Sequence, residues 1–184
     1  MKTDHVFPEK NELKFVRLAE KLGYEKLVFV YSMKNYNQAK LEQLKNKTKL
    51  QLETAVFCNE NQIQEAKKTS EKVVVKSSGE RTTFEQGPSI IFGLEENPRK
   101  DSLHFRNSGL NQVTCKIARD KNITIAVSFS DLLRRKNKPI LLGRIIQNKR
   151  FCSKYDVNFE IYSLARNHFE MRSWHDLESF RKIL

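Results

Sequence analysis

A (β/α) barrel of about seven strands, built as one domain over residues 1–184, is the fold the sequence predicts, and three observations carry it. The chain has 184 residues, which suits a single domain, since domains cluster at ~100–200 residues. Short β-branched and aromatic runs alternate with amphipathic stretches from end to end, the order of a parallel sheet with right-handed crossovers, either doubly wound or closed. Seven such units leave roughly 26 residues each, lean beside the ~200–250 residues usual for a barrel, yet a lean barrel fits better than an open sheet.

The first strand is expected at Thr3–Phe7, and the stripe Leu13, Val16, Leu18 and Leu22 then marks a helix that stops at Gly23. Lys26–Tyr31 (KLVFVY) is the second strand, followed by a helix on Ala39, Leu41 and Leu44. Gln51–Phe57, Val73–Lys76 and Ile90–Leu94 are the next three strands, with a helix on Ile63 and Ala66 after the first of them. Ser77–Ser89 and Glu95–Ser108 are the least regular stretches and are expected to hold short helical turns and loops on the rim. Leu110, Val113, Ile117 and Ala118 mark a helix, Ile123–Phe129 the sixth strand, and Leu141, Leu142, Ile145, Ile146 and Cys152 a longer helix. Val157–Tyr162 completes the set. No Gly, Ser or Pro linker divides the chain.

With 39% hydrophobic residues, 6 Gly and 4 Pro, the composition excludes collagen-like and low-complexity classes and global disorder. No apolar run approaches the ~18 residues of a membrane span and charge appears within the first five residues, so a cytoplasmic protein without membrane association is expected. Cys58, Cys115 and Cys152 are odd in number and widely spaced, which predicts buried free thiols rather than a disulfide framework or thiolate zinc site.

Charge is unevenly placed. The net formal charge is +12, and residues 99–154 hold 14 basic but only 3 acidic side chains, whereas residues 1–98 hold 16 and 14. A segment nearly stripped of acids points to a polyanionic partner, nucleic acid above all.

The inventory for catalysis is thin. In a barrel enzyme the reacting groups project from the C-terminal strand ends, and here those ends offer Tyr31, Ser32, Cys58, Asn59, Ser77, Ser78, Glu95, Glu96, Ser128, Ser130, Asp131 and Ser163, rich in hydroxyls and poor in ligands. Asp4-His5 resembles a ligand pair but is read as a capping aspartate beside a partly buried histidine. Glu95 and Glu96, with Asp131, are read as a solvated rim, because adjacent strand side chains point to opposite faces. No His-x-His, His-Glu-x-x-His, Walker loop or Gly-x-Gly-x-x-Gly occurs, so no catalytic residue, metal or nucleotide cofactor is expected in this chain.

Arg106-Asn-Ser-Gly-Leu-Asn-Gln-Val-Thr-Cys-Lys-Ile-Ala, then Asp120-Lys-Asn-Ile-Thr-Ile-Ala-Val-Ser-Phe-Ser-Asp-Leu-Leu-Arg134, resembles the signature of ribonuclease P protein component 3. In that family a Ser-Gly-Leu-Asn-His turn opens a helix and the next strand ends in Phe-Ser-x-x-Leu-Leu. Ser163-Leu-Ala165 and Met171-Arg-Ser-Trp-His-Asp-Leu177 are similar to the family's closing motifs. Ser108, Gly109, Asn111, Gln112 and Asp176 fall on motif positions. Gln112 replaces the usual His, which keeps a hydrogen-bonding group and removes the imidazole. Trp174 replaces the usual Pro, and the Ser173-x-x-Asp176 cap survives the change.

The resemblance implies a TIM-like barrel related to metal-dependent phosphoesterases but lacking the metal site. It implies a protein cofactor that supports RNA-catalysed removal of the 5′ leader from precursor tRNA, with Mg²⁺ acting on the RNA subunit. The partners implied are ribonuclease P RNA, protein component 2 and other ribonuclease P proteins, with precursor tRNA met indirectly. Two further functions stay open on the residues: a barrel phosphoesterase with an unorthodox metal site, and a basic adaptor that binds RNA outside ribonuclease P.

A-form RNA hides its major groove, so a protein without stacking motifs is expected to read backbone and shape through Lys and Arg. Leu110, Val113 and Ile117 are placed toward the core, leaving Lys116, Arg119 and Lys121 outside. The RNA-contacting residues expected are Arg106, Lys116, Arg134, Arg135, Lys149, Arg150 and Arg172, together with Lys34, and Arg144 is expected on the same basic face.

Overall fold

In a computed structural model, which describes residues 1–36 and 39–184, seven parallel strands pair in sequence order: β1 (Thr3–Val6), β2 (Lys26–Ser32), β3 (Gln51–Cys58), β4 (Val73–Lys76), β5 (Ile90–Phe92), β6 (Thr124–Ser128) and β7 (Phe159–Tyr162). Helices α1 (Glu12–Lys21), α2 (Ala39–Lys45), α3 (Ile63–Thr69), α4 (Arg81–Gln86), α5 (Gln112–Asp120), α6 (Phe129–Arg134), α7 (Lys138–Tyr155) and α8 (Trp174–Ile183) fill the connections and the C-terminus. The sheet is a TIM-like barrel, nearly closed. Between β1 and β7 the ladder is reduced to a bridge at Val6 and Ala165, where the Phe7 N–H donates to the Ala165 carbonyl at 2.8 Å.

The remaining gap is sewn by a side chain. Asp4 is wholly buried, and its Oδ1 accepts from the Ser163 N–H at 2.8 Å while its Oδ2 meets the Ser163 hydroxyl at 2.5 Å. Asp4 therefore caps no helix, contrary to the sequence reading, but ties the first strand to the end of the last. Burial raises its pKa to about 7, against the lowering effect of the bonds from Ser163 and His5. His5 points the other way, into the barrel, with its ring 4.1 Å from that of Tyr162.

Alternation along each strand stacks the interior in layers. At the N-terminal end Lys26 and Lys72 both pair with Glu53. Val28, Ala55, Val74 and Ile90 form the middle, and Phe7, Phe57 and Phe92 pack together beneath the C-terminal mouth, with ring centroids 5.4–6.4 Å apart. Outside the strands, two larger apolar clusters lie under the helices, one around Phe84, Ile125 and Ile145 and the other around Phe15, Leu27 and Phe29.

The expected strands lie within two residues of those observed. Ile90–Leu94 is shortened because Gly93 turns left-handed (φ 81°) and starts a 3-10 turn at Leu94–Glu96. Leu13 and Val113 sit exposed rather than in the core. Phe15, Val16 and Ala19 bury α1 in place of Leu13, and Leu110 precedes α5, whose core face is Thr114, Cys115 and Ala118. The side chain of Ala39 lies outside the described residues. All three cysteines are free and buried. Among the described residues no helix is long and apolar enough to cross a membrane.

Candidate nucleic-acid interface

The loop between β5 and α5 is the least regular part of the barrel and the most heavily pinned. Helix α7 holds it with three polar side chains spaced along one face. Arg144, 6% exposed, donates from Nη1 to the carbonyls of Glu95 (3.0 Å) and Asn97 (2.7 Å), from Nη2 to that of Arg99 (2.6 Å), and from Nε to Asp101 (2.9 Å). Gln147 reaches the Arg106 carbonyl and the Ser108 hydroxyl, and Asn148 the Ser108 carbonyl, all at 2.8–2.9 Å. One guanidinium thus does for the loop what a neighbouring strand would do, satisfying main-chain acceptors that would otherwise be buried unpaired.

The Ser-Gly-Leu-Asn motif is the far end of the same loop. Ser108 is wholly buried against α7. Gly109 has φ 83°, and a Cβ there would lie 2.8 Å from the Leu94 carbonyl oxygen, so both conformation and space demand glycine. Gly79 presses on it from the other side, where a Cβ would meet the Gly109 carbonyl at 2.1 Å. Asn111 caps α5 by accepting from the Val113 and Thr114 N–H groups, and Thr114 returns the bond in a capping box. Gln112 lies exposed in the first turn of α5.

Between this loop and the α6–α7 junction lies a cleft of about 730 Å³. Arg99, Lys100, Arg134, Arg135, Lys136 and Arg144 line it, against Glu96 and Asp101. Several of these charges are already engaged. Arg134 pairs with Asp131 (3.1 Å) and Glu170 (2.5 Å), Arg135 with Glu96, and Arg144 with Asp101 (2.8 Å). The pairs of Arg134 and Arg135 lie at the surface, contribute little and are readily exchanged for phosphate, whereas the guanidinium of Arg144 is buried in its pair. Among the described residues Arg99, Lys100 and Lys136 have no side-chain partner and are exposed.

The other expected RNA contacts are spread more widely. Arg106 lies against α7, donating to the Gly143 carbonyl at 3.3 Å. Lys116 stands exposed on α5 and Arg150 on α7, while the ammonium of Lys149 is bonded to the Arg181 carbonyl at 2.6 Å. Arg172 turns back onto the carbonyls of Phe169 and Met171, and its own carbonyl accepts from Tyr24, just ahead of β2. Lys34 follows β2 and does not line the cleft. Ser173 caps α8 by accepting from the Asp176 N–H at 3.1 Å, and the Asp176 side chain is exposed. Arg144 lines the cleft but offers it no free donors, because its guanidinium is spent inside the loop.

The C-terminal mouth, a cavity of about 630 Å³, is floored by Phe7, Phe57 and Phe92 beside Val30 and Leu164. Apolar rings thus occupy the interior positions from which a hydrolytic barrel would direct its ligands. Glu95, expected on a solvated rim, is instead buried beside the loop, and burial raises its pKa to about 7. Among the described residues no group of three His, Cys, Asp or Glu side chains is placed to hold a metal ion.

The fold and site together define a TIM-like barrel with an apolar-floored mouth and a preformed basic cleft on its rim. Over part of its length the chain is similar to ribonuclease P protein component 3. It is 37% identical over 84 residues to that protein from Methanosarcina acetivorans, covering 42% of this chain and 35% of the relative. It is 30% identical over 83 residues to the Archaeoglobus fulgidus protein, covering 44% of this chain and 42% of the relative. These matches span about a third to two fifths of the length of the curated relatives. A chain of an archaeal ribonuclease P solved with mature tRNA by cryo-electron microscopy shares the fold, with a TM-score of 0.82 at 21% identity, over 99% of this chain and 82% of that one. No protein-family model matches the chain.

Proposed function

We propose that this chain is a protein subunit of ribonuclease P, acting as a cofactor for RNA-catalysed removal of the 5′ leader from precursor tRNA. The observation that carries the reading is the sequence similarity to component 3, together with a cleft whose charge suits RNA phosphate. In this reading Arg99, Lys100, Arg135 and Lys136 neutralise backbone phosphates of the ribonuclease P RNA, with Arg106, Arg134, Lys116 and Arg150 extending the contact along the α5–α7 side. Lys149, Arg172 and Lys34 are outlying contacts. Protein component 2 is the protein partner, Mg²⁺ belongs to the RNA, and the chain supplies neither a metal centre nor a catalytic group.

Protein cations lower the repulsion that Mg²⁺ otherwise screens, so help from the protein is greatest when Mg²⁺ is scarce. The test is cleavage of precursor tRNA by the cognate RNA with component 2, with and without this chain, across a Mg²⁺ series. Stimulation concentrated at low Mg²⁺ is expected. No stimulation at any Mg²⁺ concentration overturns the reading.

A further inference from the structure

Residues 101–107 form a small closed loop with an exposed apolar tip. The Asp101 carboxylate accepts from the Asn107 N–H at 2.8 Å, the Asn107 amide donates to the Lys100 carbonyl, and Arg144 fixes Asp101 from below. A second clasp lies above it, where the Phe105 carbonyl accepts from both the N–H (2.8 Å) and the hydroxyl (3.1 Å) of Ser102. These bonds hold Leu103, His104 and Phe105 away from the barrel. Leu103 is 93% exposed and Phe105 50%, and Phe105 joins none of the hydrophobic clusters. Neither ring stacks on another aromatic side chain among the described residues. Exposing apolar groups on a loop too constrained to fold back over them is unfavourable unless something covers them.

The surrounding charge indicates what does. Arg99, Lys100 and Arg106 flank the tip, and the one acid in residues 99–107, Asp101, is already paired with Arg144. Flat rings set among unneutralised cations form a surface for a nucleobase and its phosphates, since every base offers a π-face and single strands leave it open. We propose that this loop is a preformed finger that stacks on an unpaired nucleobase of RNA through Phe105 and His104, while Arg99, Lys100 and Arg106 hold the adjoining phosphates. The proposal rests on the reading of the chain as an RNA-binding subunit, and adds to it a contact with bases in single-stranded RNA.

The experiment compares the full chain with Phe105→Leu and Phe105→Trp, titrated with a short single-stranded RNA and with a blunt RNA duplex of the same sequence. Leucine keeps apolar bulk and removes the ring, so it weakens single-strand binding by roughly tenfold, leaving duplex binding and salt dependence as they were. Tryptophan restores single-strand affinity. With Trp174→Phe in the background, its fluorescence is quenched by the single strand and not by the duplex. Unchanged single-strand affinity for Phe105→Leu, or equal loss on both RNAs, overturns the stacking proposal and leaves the RNA-binding reading intact. So does Phe105→Leu that binds RNA normally while Leu103→Asp with Phe105→Asp abolishes binding of component 2, which would make the tip a protein contact. Failure of the unsubstituted chain to bind either RNA overturns both.

Discussion

Arg144→Met removes the side chain that bonds the β5–α5 loop at Glu95, Asn97, Arg99 and Asp101. Methionine fills much of the same volume but offers no donors, leaving the carbonyls of Glu95, Asn97 and Arg99 and the Asp101 carboxylate without their partner. Hydrogen bonds from a charged group contribute roughly 1.5–3 kcal/mol each. They are not additive here, because a released loop recovers water at several acceptors at once. Breaking a buried pair by removing one member costs ~3–5 kcal/mol, and about 4 kcal/mol is the figure expected. In a chain of this size each kcal/mol moves the melting point by roughly 2–4 °C, so a fall of roughly 8–16 °C follows if the loop and barrel unfold together. If the loop detaches first, the barrel melts closer to normal and the loss appears as faster amide exchange over residues 97–107. Thermal melting and hydrogen exchange followed on the same variant distinguish the two. Arg144→Lys keeps the charge but not the planar fork, and recovers only part of the loss. A melt within ~2 °C of the parent, combined with unchanged exchange in the loop, would refute the anchoring role.

Asp4 gives the stability a pH dependence of unusual sign. Its folded pKa of about 7 lies above the ordinary value of 3.8, so the folded state keeps a proton that the unfolded chain releases, and stability falls as pH rises through that window. Glu95 acts in the same sense, and the two together outweigh buried His5, whose lowered pKa opposes them below about 6.5, so the melting point drops between about pH 5 and 7, and Asp4→Asn removes part of the drop; a profile unaltered by the substitution contradicts the assignment. Gly109→Ala costs about 2–3 kcal/mol, from the positive φ and the clash with the Leu94 carbonyl, and a denaturant titration showing less than half of that refutes the packing argument. The isolated chain is expected to hold no stoichiometric metal and to cleave no phosphodiester, which elemental analysis and a nuclease assay test; metal-dependent cleavage abolished by Asp4→Ala reverses this.

The alternation of strands and helices was legible because each strand carries a dense apolar run and each break a polar turn, a local signal. The layering of Phe7, Phe57 and Phe92 was not, since it depends on register across non-adjacent strands. Val113 was misplaced because it follows the helical period of Leu110, which lies outside the helix once Asn111 caps it. The charge-rich segment identified the region of the cleft but treated every arginine alike. Arg144 sits in that segment yet is consumed by backbone carbonyls some 45 residues away in sequence, a relation no local pattern encodes. The recurrence of Arg144, Gln147 and Asn148 along α7 is the signal that could have found the clamp, a polar stripe beside Leu141, Ile145 and Cys152. Arg99 and Lys100 were counted in the basic surplus, but only the folded loop brings them opposite Arg135 and Lys136.

The claim that the rim cleft is where RNA binds is tested most directly by the salt dependence of affinity for ribonuclease P RNA. The variant carries Arg99→Gln, Lys100→Gln, Arg135→Gln and Lys136→Gln, and the control Lys14→Gln, Lys21→Gln, Lys47→Gln and Lys68→Gln, all exposed positions outside the cleft. Each phosphate contact contributes roughly 0.9 to the slope of log affinity against log salt on duplexes, so the cleft variant flattens the slope by about three to four units and the control by less than about one. Equal flattening in the two would show that only total charge matters and would contradict the location of the site.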